Sequence, residues 1–428
     1  MSVRRAALIN MTFSLGSSAM NIALVPLFLS VYGLRVYGAL SLLTAVSQYF
    51  SILDLGLSSA LVRHRVRVRS HGDPTYFYYR RLMVKYFLLV GLVVVGTAAV
   101  TALTWGTHLH LDGIPRLWLA VLGAGALTLL SLIGTFYNSA LVAEIRFTYL
   151  NSFNLARNIG PQVASVLAYS KSNDLAVSLT AGALCSLVLL VVHVARLHKQ
   201  ELVISQVSSI PERREFFQFL KESLGFSAQT FFSVIMIPLL QTVVGVKFGS
   251  EANGLVEVAR RLLFAFRRLI EAAFVPLFAR ANQLIELRDT QRLKRLAIES
   301  SLLSAILSIV YFVSLRVSTP WILSVWLGNA ATAVRPITAV FLIWVTFTMP
   351  HIAVYQLLST FHKGRVINTL AGAVSSGAVL FALLPVVHTV VQTLVVYASG
   401  TFLGAAITLL YSAMYFSALR DDGGIKGT

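Results

Sequence analysis

The strongest constraint on this chain is a series of apolar runs, each roughly 20 residues long, that recurs from one end to the other. They read as twelve spans at roughly 6–30, 38–62, 82–104, 116–142, 149–169, 175–195, 223–246, 252–279, 296–317, 335–360, 366–386 and 389–419. At about 1.5 Å per residue, such a run crosses a hydrocarbon core about 30 Å thick. Lipid offers no partners to backbone amides, so runs of this length are expected to be helices, which satisfy those groups internally. Composition agrees, because only 12% of residues are charged and 57% are hydrophobic, against about 25% charged in a soluble domain. The expected fold class is an all-α polytopic membrane protein of about twelve transmembrane helices. The first run is too long for a cleavable leader and lacks a small-residue cleavage site, so it is expected to remain as a span.

The formal net charge of +18 would suit a nucleic-acid partner on a soluble module, but here the cations lie between spans, and no nucleic-acid partner is expected. With both termini cytoplasmic, the inner segments hold 24 of the 35 basic residues, the outer connections six and the spans five. That asymmetry sets the orientation. The inner loop from Arg63 to Arg81 alternates cations with apolar and aromatic residues and is expected to anchor on anionic headgroups. Cys185, the one cysteine, lies in an apolar run, which excludes a disulfide framework and a thiolate metal site. His108, His110 and Asp112 share one outer loop and make a poor metal set. No phosphate-cradling glycine loop or nucleophile elbow is present, so neither a cofactor nor an enzyme activity is expected.

Two segments repeat. YGLRVYG places Tyr32, Gly33 and Gly38 before the second span, and FGSEANG places Phe248, Gly249 and Gly254 before the eighth, an offset of 216 residues. Pro26 and Pro238 precede them. Six is an even number of spans, so the two halves share one orientation, which implies parallel six-helix lobes with a site between them near the midplane. The expected division is 1–200 for the N-terminal lobe, 201–221 for a cytoplasmic interfacial linker and 222–428 for the C-terminal lobe, with PERREFFQFLKES, which begins in the linker, read as an interfacial helix.

The eighth span concentrates charge. Glu257, Arg260, Arg261, Arg267, Arg268 and Glu271 lie on its middle turns, with two arginine pairs seven residues apart on nearly one side. An arginine at membrane depth costs at least about 2.5–3.5 kcal/mol, so it normally faces a bundle interior or a wet cavity. Glu257 is spaced to pair with Arg260 and Arg261, and Glu271 with Arg267 and Arg268, yet four cations against two acids leave a positive surplus. The deeper pair, Arg267 and Arg268, is expected to matter more. Which member of each pair faces a cavity is open. Asp54 in the second span is a candidate for proton coupling or for fixing an arginine. Arg157, before the breaker pair Gly160 and Pro161, is a candidate for turning inward. His351, after Pro350, is either a proton-exchanging group or a packed one.

Arg4 and Arg5, the span with Pro26, the turn VYGLRVYGALSLLTAVSQYFSILDLGLSSALVR and the later FGSEANGLVEVARRL together resemble the polysaccharide-type, O-antigen-type flippases. These are lipid-linked oligosaccharide translocases of the multidrug, oligosaccharidyl-lipid and polysaccharide exporter superfamily. The resemblance implies two six-helix lobes around a central cationic cavity. It implies alternating access for undecaprenyl-diphosphate-linked sugars in the bacterial inner membrane, serving cell-surface polysaccharide assembly alongside membrane lipids, a polymerase and assembly proteins. Arg260, Arg261, Arg267, Arg268 and Arg157 are the positions to which it assigns the cavity charge. The alternatives are a cation-exporting multidrug transporter of the same superfamily and a membrane polysaccharide polymerase or ligase.

Overall fold

The computed structural model describes residues 3–49, 54, 57–58, 60–61, 75–105, 116–143, 147–201, 213–287, 289–328, 331–359 and 362–418. The described residues are helical apart from short turns. Among the described residues ten long helices follow one another: α1 Val3–Gln48, α2 Thr75–Trp105, α3 Leu117–Ala143, α4 Phe147–Ser172, α5 Leu175–Glu201, α6 Arg213–Glu286, α7 Thr290–Leu327, α8 Ala331–Leu358, α9 His362–Phe381 and α10 Val390–Ala418. Two of them are interrupted. Gly33 in α1 has φ 70° and ψ 165°, and Gly249 in α6 has φ 87° and ψ 173°. Counting each interrupted helix as two arms gives twelve, and each expected span overlaps one arm in order.

Both breaks fall on the glycine that the 216-residue repeat aligns. Positive φ with ψ near 170° belongs to a region essentially restricted to glycine, because a Cβ there meets its own backbone. The neighbours of each break are braced. Tyr32 shares a 2.8 Å hydrogen bond with Ser178, whose hydroxyl reaches the Ser165 carbonyl at 2.9 Å. Lys247 donates to the carbonyls of Ala382 and Leu384, both at 2.8 Å. Helix starts also carry local signals. Asp289 accepts the Arg292 amide ahead of α7, and Thr389 with Gln392 forms a reciprocal cap ahead of α10.

The faces of α7 identify its solvent. Its buried stripe includes Ser300, Ser304, Ser308 and Thr319, whereas its exposed stripe includes Leu302, Ile306, Ile309, Val313 and Val317. An exposed side more apolar than the buried side is stable against lipid and unstable against water. Among the described residues, six helices are long and apolar enough to cross a membrane. The chain is a polytopic all-α membrane protein.

Two compact units form, one of residues 28–238 and one of residues 1–27 with 239–428; we call them the N-terminal and C-terminal units. The divisions fall inside α1 and α6, whereas the sequence reading placed one at 201–221. Of that segment, 202–212 lie outside the described residues. From Arg213 onward the chain is the start of α6, helical without interruption as far as the break at Gly249. This start is packed: Phe219 is buried in the N-terminal unit with Tyr79, Met83, Phe87 and Phe136, stacked on Tyr79 at 4.4 Å.

Candidate functional site

The charged residues of the second arm of α6 are organised around one carboxylate. Glu257 is 3% exposed. Its Oε2 accepts from Arg260 Nε at 2.6 Å and from Gln241 Nε2 at 2.6 Å; its Oε1 accepts from Arg260 Nη2 at 2.7 Å and Arg261 Nε at 2.8 Å. Four donors fill the four lone-pair positions a carboxylate offers. Burial of this acid is therefore tolerable, because charge and hydrogen bonding are satisfied together. Gln241 lies eight residues before Gly249 and Glu257 eight after it, so their bond joins the two arms across the break.

Two turns further, the second arginine pair divides. Arg267 donates from Nε to Glu271 at 2.7 Å, and its guanidinium lies 5.3 Å from the Phe264 ring and 6.0 Å from that of Trp344. Phe341 and Tyr397 pack around the same indole. Such an aromatic box holds a cation without water. Arg268 is exposed and makes neither an ion pair nor a hydrogen bond among the described residues. The sequence leaves open which member of this pair is presented; in the structure Arg267 is packed and Arg268 is exposed.

His351, on α8, is half-buried, its ring 5.5 Å from that of Tyr355, and its Nε2 has no partner among the described residues. It belongs to the C-terminal unit with the arginines. Asp54 belongs to the N-terminal unit and accepts from Ser58 Oγ at 2.6 Å. Arg157 is also in that unit, on α4. Its Nη1 donates to the Ser131 carbonyl at 3.1 Å, and its guanidinium lies 5.8 Å from the Phe153 ring. It lines a cavity of about 280 Å³ with Ser131, Asn154, Asn158, Pro161 and Ser186. The acceptor of that bond, Ser131, is on α3. His108, His110 and Asp112, and most of the Arg63–Arg81 loop, lie outside the described residues. Among the described residues no cluster of three or more metal-ligating side chains occurs.

Sequence reasoning found the arginines and both glutamates from their helical spacing. It missed Gln241 and Trp344, which come from the other arm of α6 and from α8. A glutamine inside an apolar span was the available signal for the first.

No protein-family model matches the sequence, and no curated protein matches it. The fold is nonetheless shared with solved structures. The inward-facing conformation of a multidrug resistance MATE family transporter of the MOP superfamily aligns over 98% of this chain and 100% of its own, with a TM-score of 0.70 and 12% identity. A MATE structure in complex with MaL6 aligns over 98% and 97%, with a TM-score of 0.66 and 14% identity. A MOP superfamily transporter from Pyrococcus furiosus Vc1 (DSM3638) aligns over 98% and 97%, with a TM-score of 0.65 and 14% identity; for that protein, reversed polarity of the binding pocket suggests a different function. At these identities the likeness is one of fold.

Proposed function

We propose that this chain is a membrane transporter, not an enzyme, that flips an undecaprenyl-diphosphate-linked oligosaccharide to the outer leaflet of the bacterial inner membrane by alternating access. The observation that carries the reading is Arg268, an exposed guanidinium on the second arm of α6 that makes no ion pair among the described residues. A guanidinium stays charged at any physiological pH and matches diphosphate oxygens with paired hydrogen bonds. Arg260 and Arg261, each about one-fifth exposed beside Glu257, add to the same field. Both termini are cytoplasmic in this reading, following the distribution of lysine and arginine. A polymerase and other polysaccharide-assembly proteins are its expected neighbours.

A second reading, multidrug export, is favoured by the structural likeness to MATE transporters. An exporter of cations is expected to keep an uncompensated carboxylate. Here Glu257 is saturated with donors and Glu271 holds Arg267, so Asp54, which accepts the neutral hydroxyl of Ser58, is the carboxylate that such an exporter would use, against the surplus of arginines on α6. The charge pattern therefore favours an anionic substrate on this fold.

The test is translocation by the purified chain in vesicles, with folded protein measured alongside. Arg268→Gln is expected to lower flipping of the lipid diphosphate sugar at least about tenfold, the factor for losing a charged hydrogen bond of about 1.5 kcal/mol, at normal abundance. Arg268→Lys recovers part of that rate if the field dominates, and little if paired geometry is required. Efflux of cationic dyes by the parent chain without translocation of the lipid-linked sugar would establish the second reading instead.

A further inference from the structure

The start of α7 carries three cations, and two of them are held. Arg292 lies 3.2 Å from Asp289, and Arg295 donates to Glu299 at 2.6 Å. Lys294 has no acidic partner among the described residues. It stands instead at the rim of a groove of about 500 Å³ between α7, α8 and α10, walled by Ala297, Leu302, Val354, Leu409 and Phe416. The groove follows α7 from Lys294 to Leu302, eight residues or about 12 Å. That length is close to the hydrocarbon depth of one leaflet, about half of 30 Å.

Two serines also line the groove, and both are turned to their own helices. Ser301 donates to the Ala297 carbonyl at 2.7 Å and Ser412 to the Leu409 carbonyl at 2.7 Å. The walls are left apolar. Beneath them lies buried core, with Leu293, Leu357 and Leu358 packed around Ala297 and Val354. Ile298 and Leu302 at the mouth are 55% and 60% exposed, so in a bilayer the groove opens to lipid. A hydrocarbon chain fits its walls, and an ammonium at its end with no acidic partner among the described residues favours a negative headgroup.

We propose that this groove binds one acyl chain of an anionic phospholipid, with Lys294 paired to the headgroup. The site is separate from the arginines of α6 and does not depend on what the chain transports.

The full chain in detergent micelles is titrated with phosphatidylglycerol or phosphatidylcholine, and retained lipid is counted by native mass spectrometry. Lys294→Gln is expected to bind phosphatidylglycerol about fivefold more weakly, the factor for about 1 kcal/mol per basic residue near a headgroup, with phosphatidylcholine changed less. Ala413→Trp, on an exposed position lining the groove, is expected to abolish retention of one phosphatidylglycerol. Arg295→Gln, which removes equal charge outside the groove, is expected to match the parent, and millimolar inorganic phosphate is expected not to displace the lipid. Parental affinity in Lys294→Gln, an equal loss in Arg295→Gln, parental retention in Ala413→Trp, or displacement by phosphate would each overturn the proposal.

Discussion

Replacing Glu257 with alanine is expected to deplete the folded protein severely. The change removes the acceptor of four hydrogen bonds at 2.6–2.8 Å and leaves Arg260, Arg261 and Gln241 without it. Breaking a buried pair by deleting one partner costs about 3–5 kcal/mol, because the remaining charge is uncompensated. Glu257→Gln keeps the shape but turns one oxygen into a donor facing donors, so it is expected to fall between alanine and the parent. The informative variant exchanges the partners: Gln241→Glu with Glu257→Gln returns a negative charge to the same contact from the other arm. That double variant is expected to recover part of the abundance lost by Glu257→Gln, with the coupling read as non-additivity in thermal or detergent unfolding. Equal abundance of parent and Glu257→Ala would show that the carboxylate does not hold this region together.

This prediction separates two roles that helical spacing alone could not. Charges at i, i+3 and i, i+4 are local, so the contacts of Glu257 to Arg260 and Arg261 were legible in the sequence. The partner that completes the cluster was not, because Gln241 lies 16 residues away and reaches Glu257 only through the break at Gly249. The same limit governs the second pair. Phe264, three residues before Arg267, was in view, but Trp344 arrives from α8 and decides that Arg267 is packed while Arg268 is presented. Spans were legible because lipid demands about 20 apolar residues from each helix regardless of its neighbours. The packing of the start of α6 was not legible for a related reason. Phe216 and Phe219 form an apolar stripe that suits a headgroup layer or the face of α2 equally well, and tertiary packing against Tyr79 makes the choice.

The repeat gives the second large effect. Gly33→Ala and Gly249→Ala are each expected to destabilise the chain by about 1–3 kcal/mol, the cost of holding a side-chain-bearing residue in a sparsely populated backbone region. Crowding is not the cause, since a Cβ at either position would meet nothing within 4 Å. The penalty is torsional and should therefore appear at both positions despite their different surroundings. In the two single variants and the double variant, the losses are expected to add, because the breaks lie in different units and share no partner. Gly16 and Gly377 supply the contrast. They are helical, with open space where a Cβ would go, so alanine there is expected to be neutral or to stabilise by up to about 1 kcal/mol. Asparagine, which commonly replaces glycine at positive φ, is not expected to rescue either break. It tolerates the left-handed helical region near ψ +47°, whereas these glycines have ψ 165° and 173°. Parental stability of Gly249→Ala would mean that α6 can run straight through the turn, leaving Gln241 and Glu257, 16 residues apart on one helix, about 24 Å from each other. The clasp across the break could not survive that straightening, so stability and the environment of Glu257 are expected to change together.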